Sequence, residues 1–121
     1  MRRLTLAAAA LTAMTATPAL AQQGGYGSDT AFEEMMAGDY DRAERKLLES
    51  ARTDVGARIN LAQIFASSGR ERQAAILLRS VMTNDDIALE GVDGRILSSH
   101  DVAQTLLGRM GQAEMLASAE R

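Results

Sequence analysis

The sequence is poor in the residues that usually carry chemistry. It has no cysteine, no tryptophan and one histidine among 121 residues, and its aromatic side chains are two tyrosines and two phenylalanines. The absence of cysteine excludes disulfides and a cysteine-borne lipid anchor. Four aromatic rings leave little surface on which bases or sugars could stack. Stability must come from packing alone, and we expect no metal and no cofactor.

The N-terminus has the layout of a cleavable secretory signal. Arg2 and Arg3 give a positive start, residues 4–16 are uncharged and rich in alanine, and residues 19–21 place alanines where a signal peptidase needs small side chains. The apolar run is shorter than the roughly 20 residues of a membrane span. We predict export to the periplasm, cleavage after Ala21 and no stable membrane anchor afterwards, with an uncleaved anchor as the alternative.

Residues 22–121, which remain after cleavage, are acidic. Removal of Arg2 and Arg3 from the 13 basic side chains leaves 11 against 16 acidic ones, a net charge of about -5. Phosphate contacts need clustered lysine and arginine, so we expect no nucleic-acid partner. A chain of this size makes one domain and buries about two thirds of its unfolded surface.

Residues 30–83 have the pattern of two helical hairpins, which follow a flexible, glycine-rich segment at residues 22–29. Thr30 and Glu33 fit a capping box for a short first helix that ends at Gly38. Three longer helices follow, and the middle one is apolar enough to lie at the centre. Their predicted ranges are 40–52, 54–67 with Asp54 as its cap, and 71–82.

The two hairpins are copies of each other. A pattern of glycine, alanine and leucine recurs after 31 residues, since Gly38, Ala43 and Leu47 return as Gly69, Ala74 and Leu78. The alanines allow two helices to approach closely, while larger side chains fill the space beside them. Seven positions of the second copy resemble the tetratricopeptide repeat: Leu61, Ala62, Phe65, Gly69, Ala74, Leu78 and Val81.

The resemblance is incomplete. The spacing of 31 is shorter than the roughly 34 residues of the family, no proline closes either copy, and the first copy lacks the apolar positions of its first helix. A generic array of helical hairpins is the alternative.

The tetratricopeptide resemblance implies a protein-binding module without catalytic activity. Asn60 falls where family members often use an asparagine to hold the main chain of a ligand. Gln63 and Ser67 share its side of the helix, because spacings of three, four and seven residues lie on one face. The alternative interpretation of Asn60 is a solvated or locally capping side chain.

The C-terminal segment, residues 84–121, is expected to cap the open end of the array. Asp93 and Gly94 suit the tight turn of a small β-hairpin near residues 88–98, because both residue types tolerate positive φ angles. An irregular loop that packs its aliphatic side chains under the last helix is the alternative.

A further helical pattern begins near Val102. We expect Gly111 to interrupt it, and residues 112–120 to add a short final helix. Met115 and Leu116 are predicted to face inward.

The few polar clusters favour structural roles. Ser98, Ser99, His100 and Asp101 are adjacent in sequence, whereas the members of a catalytic triad normally converge from separate elements. One of the serines and Asp101 instead suit the start of a helix. A solvated turn is predicted for the acidic cluster of Asn84, Asp85, Asp86 and Glu90, which lacks the ligand spacing of a calcium loop.

Two classes of function follow. In the first, the protein is a non-enzymatic adaptor of the bacterial cell envelope that holds a protein or peptide. In the second, it is a structural subunit that assembles with copies of itself, because repeats of this type need about three stacked units and this chain has two.

Overall fold

The computed structural model describes residues 31–90 and 94–120. Helices make up 72% of the described residues, which also contain one small two-stranded sheet, so the predicted all-α class is confirmed. The predicted signal peptide at residues 1–21 and the segment at 22–29 lie outside the described residues. The elements in chain order are α1 (Phe32–Met36), α2 (Tyr40–Ser50), α3 (Val55–Ser67), α4 (Glu71–Thr83), β1 (Ala88–Glu90), β2 (Ile96–Ser98) and α5 (Ser99–Ala119).

Side chains cap the start of three helices. The N-cap residues Asp39, Asp54 and Ser98 each accept a hydrogen bond from the backbone N–H three residues later, at 3.2, 2.7 and 3.1 Å. Each bond satisfies a donor that has no partner inside its helix. The predicted caps at Asp54 and at the serine pair are confirmed.

Helix α1 begins differently from the prediction. Its N-cap is Ala31, which has a left-handed φ of 55° and makes no side-chain cap. Glu33 is then one position too early to close a capping box with this N-cap, and Thr30, the other member of the predicted box, lies outside the described residues. Ala31 is buried, which indicates that packing sets the start of this short helix.

Both hairpins turn on a glycine with a positive φ, 78° at Gly38 and 83° at Gly69. The residue after each glycine donates its N–H to the carbonyl five positions earlier, at 2.9 Å from Asp39 and 2.8 Å from Arg70. This is the Schellman arrangement, in which glycine adopts the left-handed conformation without steric cost. The 31-residue repeat is therefore present in the backbone as well as in the sequence.

The small and large positions of the repeat are also buried alike. Ala43 and Ala74 are both fully buried, and so are Leu47 and Leu78. Ala43 and Leu47 lie one turn apart on α2, as Ala74 and Leu78 do on α4. Each pair faces the core through the same side of its helix.

Helix α3 lies at the centre, as predicted. It packs against α2, α4 and α5, and it is buried around most of its circumference. Its buried residues are Gly56, Ala57, Ile59, Asn60, Leu61, Ala62, Gln63, Ile64 and Phe65.

An ion pair joins α2 to the start of α4. Two guanidinium nitrogens of Arg70 donate to the two carboxylate oxygens of Glu44, one of them at 3.0 Å, and Nε donates to Ser68 Oγ at 2.9 Å. The guanidinium also lies 4.4 Å from the centre of the Phe65 ring. This bidentate hydrogen bond from Arg70 holds the pKa of Glu44 below its usual value.

The C-terminal segment contains the predicted β-hairpin and not the alternative loop. Strands β1 and β2 are antiparallel, with Leu89 opposite Leu97 and Glu90 opposite Ile96. Gly94, in the connection, has a φ of 80°, and Asp93 lies outside the described residues. Leu89 is buried, so the hairpin contributes to the core.

Helix α5 is one continuous helix of 21 residues, and the predicted interruption at Gly111 is wrong. A glycine inside a helix costs only about 1 kcal/mol relative to alanine, which the surrounding turns offset. Met115 and Leu116 are 73% and 67% exposed, so the prediction that they face inward is also wrong. The buried residues of α5 all lie in its first two turns, and residues 111–120 are exposed throughout.

Over the described part of the chain, no helix combines the length and apolar character needed to cross a membrane.

Candidate functional site on helix α3

The three predicted binding residues lie along one side of α3 and form what we call the α3 strip: Asn60, Gln63 and Ser67. Asn60 is fully buried and Gln63 is 6% exposed, whereas Ser67 is exposed at the end of the helix. The alternative interpretation of Asn60 as a solvated side chain is wrong. Most of the strip lies inside the fold in this conformation.

Gly56 belongs to the same side of α3, one turn before Asn60, and it is buried too. Sequence reasoning missed this residue. The signal was available, because Gly56, Asn60, Gln63 and Ser67 are separated by four, three and four residues, the spacing of a single helical stripe.

Gln63 is the unusual member of the strip. Both its side-chain nitrogen and its side-chain oxygen are buried without a hydrogen-bond partner in the described chain. Buried amides are nearly always paired, and an unpaired buried polar group costs about 1 to 3 kcal/mol. Within the described residues, the Gln63 carboxamide therefore lacks the hydrogen-bond partner that a buried amide normally has.

Ser67 marks the exposed end of the strip. Its hydroxyl donates to the carbonyl of Ile64 at 2.9 Å, a bond within its own helix. The hydroxyl oxygen keeps its capacity to accept a hydrogen bond. The strip thus runs from an exposed acceptor at Ser67 to a buried amide one turn earlier.

A second polar cluster joins the hairpin to the start of α5, and Asp86 is at its centre. Asp86 Oδ1 accepts from Ser98 Oγ at 2.6 Å, from Ser99 Oγ at 3.2 Å and from the backbone N–H of His100 at 3.1 Å. The hydrogen bond from Ser98, followed by that from the His100 backbone, holds the pKa of Asp86 below its usual value. Asp86 is exposed and lies outside the helices and strands, as predicted for a solvated turn, and its carboxylate also anchors the start of α5.

The remaining contacts of this cluster are structural. The Ser99 hydroxyl accepts from the backbone N–H of Ile87 at 3.0 Å. The His100 ring places Nε2 at 2.8 Å from the carbonyl oxygen of Asn84, and Nε2 is the donor because a carbonyl only accepts. The serine hydroxyls and the imidazole thus face different partners.

Among the described residues, no three histidine, cysteine, aspartate or glutamate side chains come together in a way that could hold a metal ion. Within the described residues, the α3 strip contains a buried side chain without a hydrogen-bond partner, whereas the polar atoms of the Asp86 cluster bind one another. No protein-family model matches the chain, and no curated protein or solved structure is detectably similar to it.

Proposed function

We propose that the protein is a non-enzymatic, tetratricopeptide-like interaction module of the cell envelope that holds a protein or peptide through the α3 strip. The unpaired carboxamide of Gln63 carries this proposal. The duplicated hairpin supports it as well, because the shared Schellman turns and buried alanines are what a repeat array requires.

The chemistry of Gln63 suits a peptide main chain. A carboxamide presents two N–H donors and one carbonyl acceptor, which match the carbonyl and N–H of a peptide group. The nearby members of the strip are uncharged, so a neutral backbone fits better than an ionised end. Because Asn60 and Gln63 are buried, binding involves a conformation in which this side of α3 becomes accessible.

The test is Gln63→Met, which keeps the length of the side chain and removes its polar atoms. We expect the free energy of unfolding to rise on the order of 1 kcal/mol, because an unpaired buried amide is lost. Capture of the partner from envelope extract should fall several-fold. Gln63 is a better probe than Asn60, because replacement of the fully buried Asn60 by alanine would also leave a cavity.

Matched controls lie on α4. Gln73→Met introduces the same side chain at an exposed position and should change neither quantity. Arg72→Ala and Arg79→Ala alter exposed charge on the outer helix. Loss of the partner with these arginine variants, together with normal capture by Gln63→Met, would move the binding surface from α3 to α4.

Location in the periplasm is part of the same proposal, and the N-terminal signal layout supports it. Protein purified from the producing cell is expected to begin at Gln22, which N-terminal sequencing determines directly. Recovery of the protein from the membrane fraction with Met1 still present would contradict export by cleavage.

A self-assembling structural subunit is the second candidate function, and a specific observation favours it. Residues 111–119 of α5 and the following Glu120 are exposed, although they include Met115 and Leu116. A helix end of three turns without packing is a natural site for a neighbouring molecule. A molecular mass that rises with protein concentration distinguishes this function from binding of a foreign peptide.

A further inference from the structure

The C-terminal half of α5 carries a stripe of exposed side chains at coiled-coil spacing. Its members are separated by four, three and four residues, so they lie along one side of the helix. The same spacing extends back to Leu106 and Val102, which are half-buried and buried in the fold. We call the exposed continuation the distal seam: Arg109, Ala113, Leu116 and Glu120, the last being the C-cap residue of α5, which keeps helical dihedral angles.

Among the described residues, no ion pair or burial involves the distal seam. All four side chains are exposed, and the ion pairs of the described residues involve neither Arg109 nor Glu120. The seam therefore presents one positive, one small, one large apolar and one negative side chain, in that order along the helix.

We propose that the distal seam pairs with the same seam of a second copy of this chain, in an antiparallel arrangement. In the register centred between Glu114 and Met115, Arg109 faces Glu120 of the second copy, and Ala113 faces its Leu116. Twofold symmetry makes each pair occur twice. One register thus matches charge with opposite charge and a small side chain with a large one.

The antiparallel direction follows from the charges. A parallel pair would place Arg109 against its own copy and Glu120 against its own copy, and like charges repel. Antiparallel pairing also puts the two folded bodies at opposite ends of the paired helices, where they do not collide. This assignment rests on the self-assembly function, for which it names the surface and the partner.

The dimer is expected to be weak, because the seam is small. Three helical turns from each copy cover less than the roughly 1,200 Å² that stable complexes bury. Exposed ion pairs contribute modestly and are screened by salt. We therefore expect dimers only at high protein concentration, and fewer of them at high ionic strength.

Sedimentation of protein purified from the producing cell, from about 10 μM to about 1 mM, tests the pairing. Arg109→Glu and Glu120→Arg should each raise the dimer dissociation constant by about tenfold, because each places like charges opposite one another twice. An equimolar mixture of the two variants should dimerise as well as the natural chain, because the acidic seam of one faces the basic seam of the other.

Glu114→Arg is the matched control. It makes the same charge reversal on the same exposed helix, but about 120° to 140° around it from Glu120 and Arg109, and it should leave dimerisation unchanged. If the natural chain stays monomeric over the whole concentration range, both the pairing of the distal seams and the self-assembly function are wrong. A concentration-dependent dimer that is indifferent to the variants and to their mixture would keep self-assembly and place it on another surface.

Discussion

Replacement of Leu78 by alanine is expected to lower the free energy of unfolding by about 2 to 5 kcal/mol. Leu78 is 1% exposed and lies on α4, the helix that packs against both α3 and α5. The truncation removes apolar contacts and leaves a cavity that the neighbouring helices fill only in part. Domains of this size are stable by about 5 to 15 kcal/mol, so the loss is a large fraction of the total.

Urea denaturation of the natural chain and the variant measures this loss as a shift of the midpoint. Ile76→Ala is the matched control, because Ile76 lies on the same helix and is 59% exposed. Its replacement should change the free energy of unfolding by less than about 0.5 kcal/mol. Equal shifts for the two variants would show that α4 does not bury the face that carries Leu78.

The opposite change, from small to large, is expected to be costly at Ala74. Ala74→Leu should lower the free energy of unfolding by about 1 to 3 kcal/mol, because a fully buried position has no room for three more carbon atoms. Gln73→Leu adds the same side chain at the exposed neighbouring position and serves as the control. The measurement is again the midpoint of urea denaturation.

The repeat leads to the same prediction for a second alanine. Ala43 occupies the equivalent place on α2 and is equally buried, so Ala43→Leu should be destabilising in the same way. An unchanged midpoint for Ala74→Leu would show that α4 does not approach its neighbours closely at this position. It would also remove the packing argument for the tetratricopeptide resemblance.

The features that sequence predicted well are those with a local physical cause. The glycines at the two hairpin turns, the cap at Asp54 and the cap at one of the two serines before α5 depend on a residue and its neighbours within one helical turn. The β-hairpin around Gly94 is of the same kind, because a positive φ is a property of the turn itself. The central place of α3 followed from its high apolar content.

The features that sequence did not predict depend on contacts between distant segments. Asp86 accepts hydrogen bonds from Ser98, Ser99 and His100, which lie more than ten positions later in the chain. No local sequence pattern predicts a partner at that distance. The burial of Asn60 and Gln63 likewise depends on what packs over α3. Polar residues on a helix are usually taken to face solvent, and here that expectation fails.

At the end of α5, the sequence led to the opposite error, because apolar side chains that were predicted to be buried are exposed. Met115 and Leu116 are apolar, and an apolar side chain favours burial, but burial needs a partner at the right place. None of the described elements extends beside the last three turns. On α3, the spacing of Asn60, Gln63 and Ser67 was visible in the sequence, whereas the burial of the first two and the unpaired carboxamide of Gln63 depend on the fold.

The two matching glycine turns also make part of this chain a transferable unit. The block from Asp39 to Gly69 begins just after one turn and ends with the other, and the backbone has the same conformation and hydrogen bonding at both junctions. A duplicate of these 31 residues placed before Arg70 would enter and leave through geometries that the fold already contains. Each copy would bring its own cap, its own closely packed alanine and its own turn. The chain could thus be lengthened by duplication of one segment, without any new type of junction between helices.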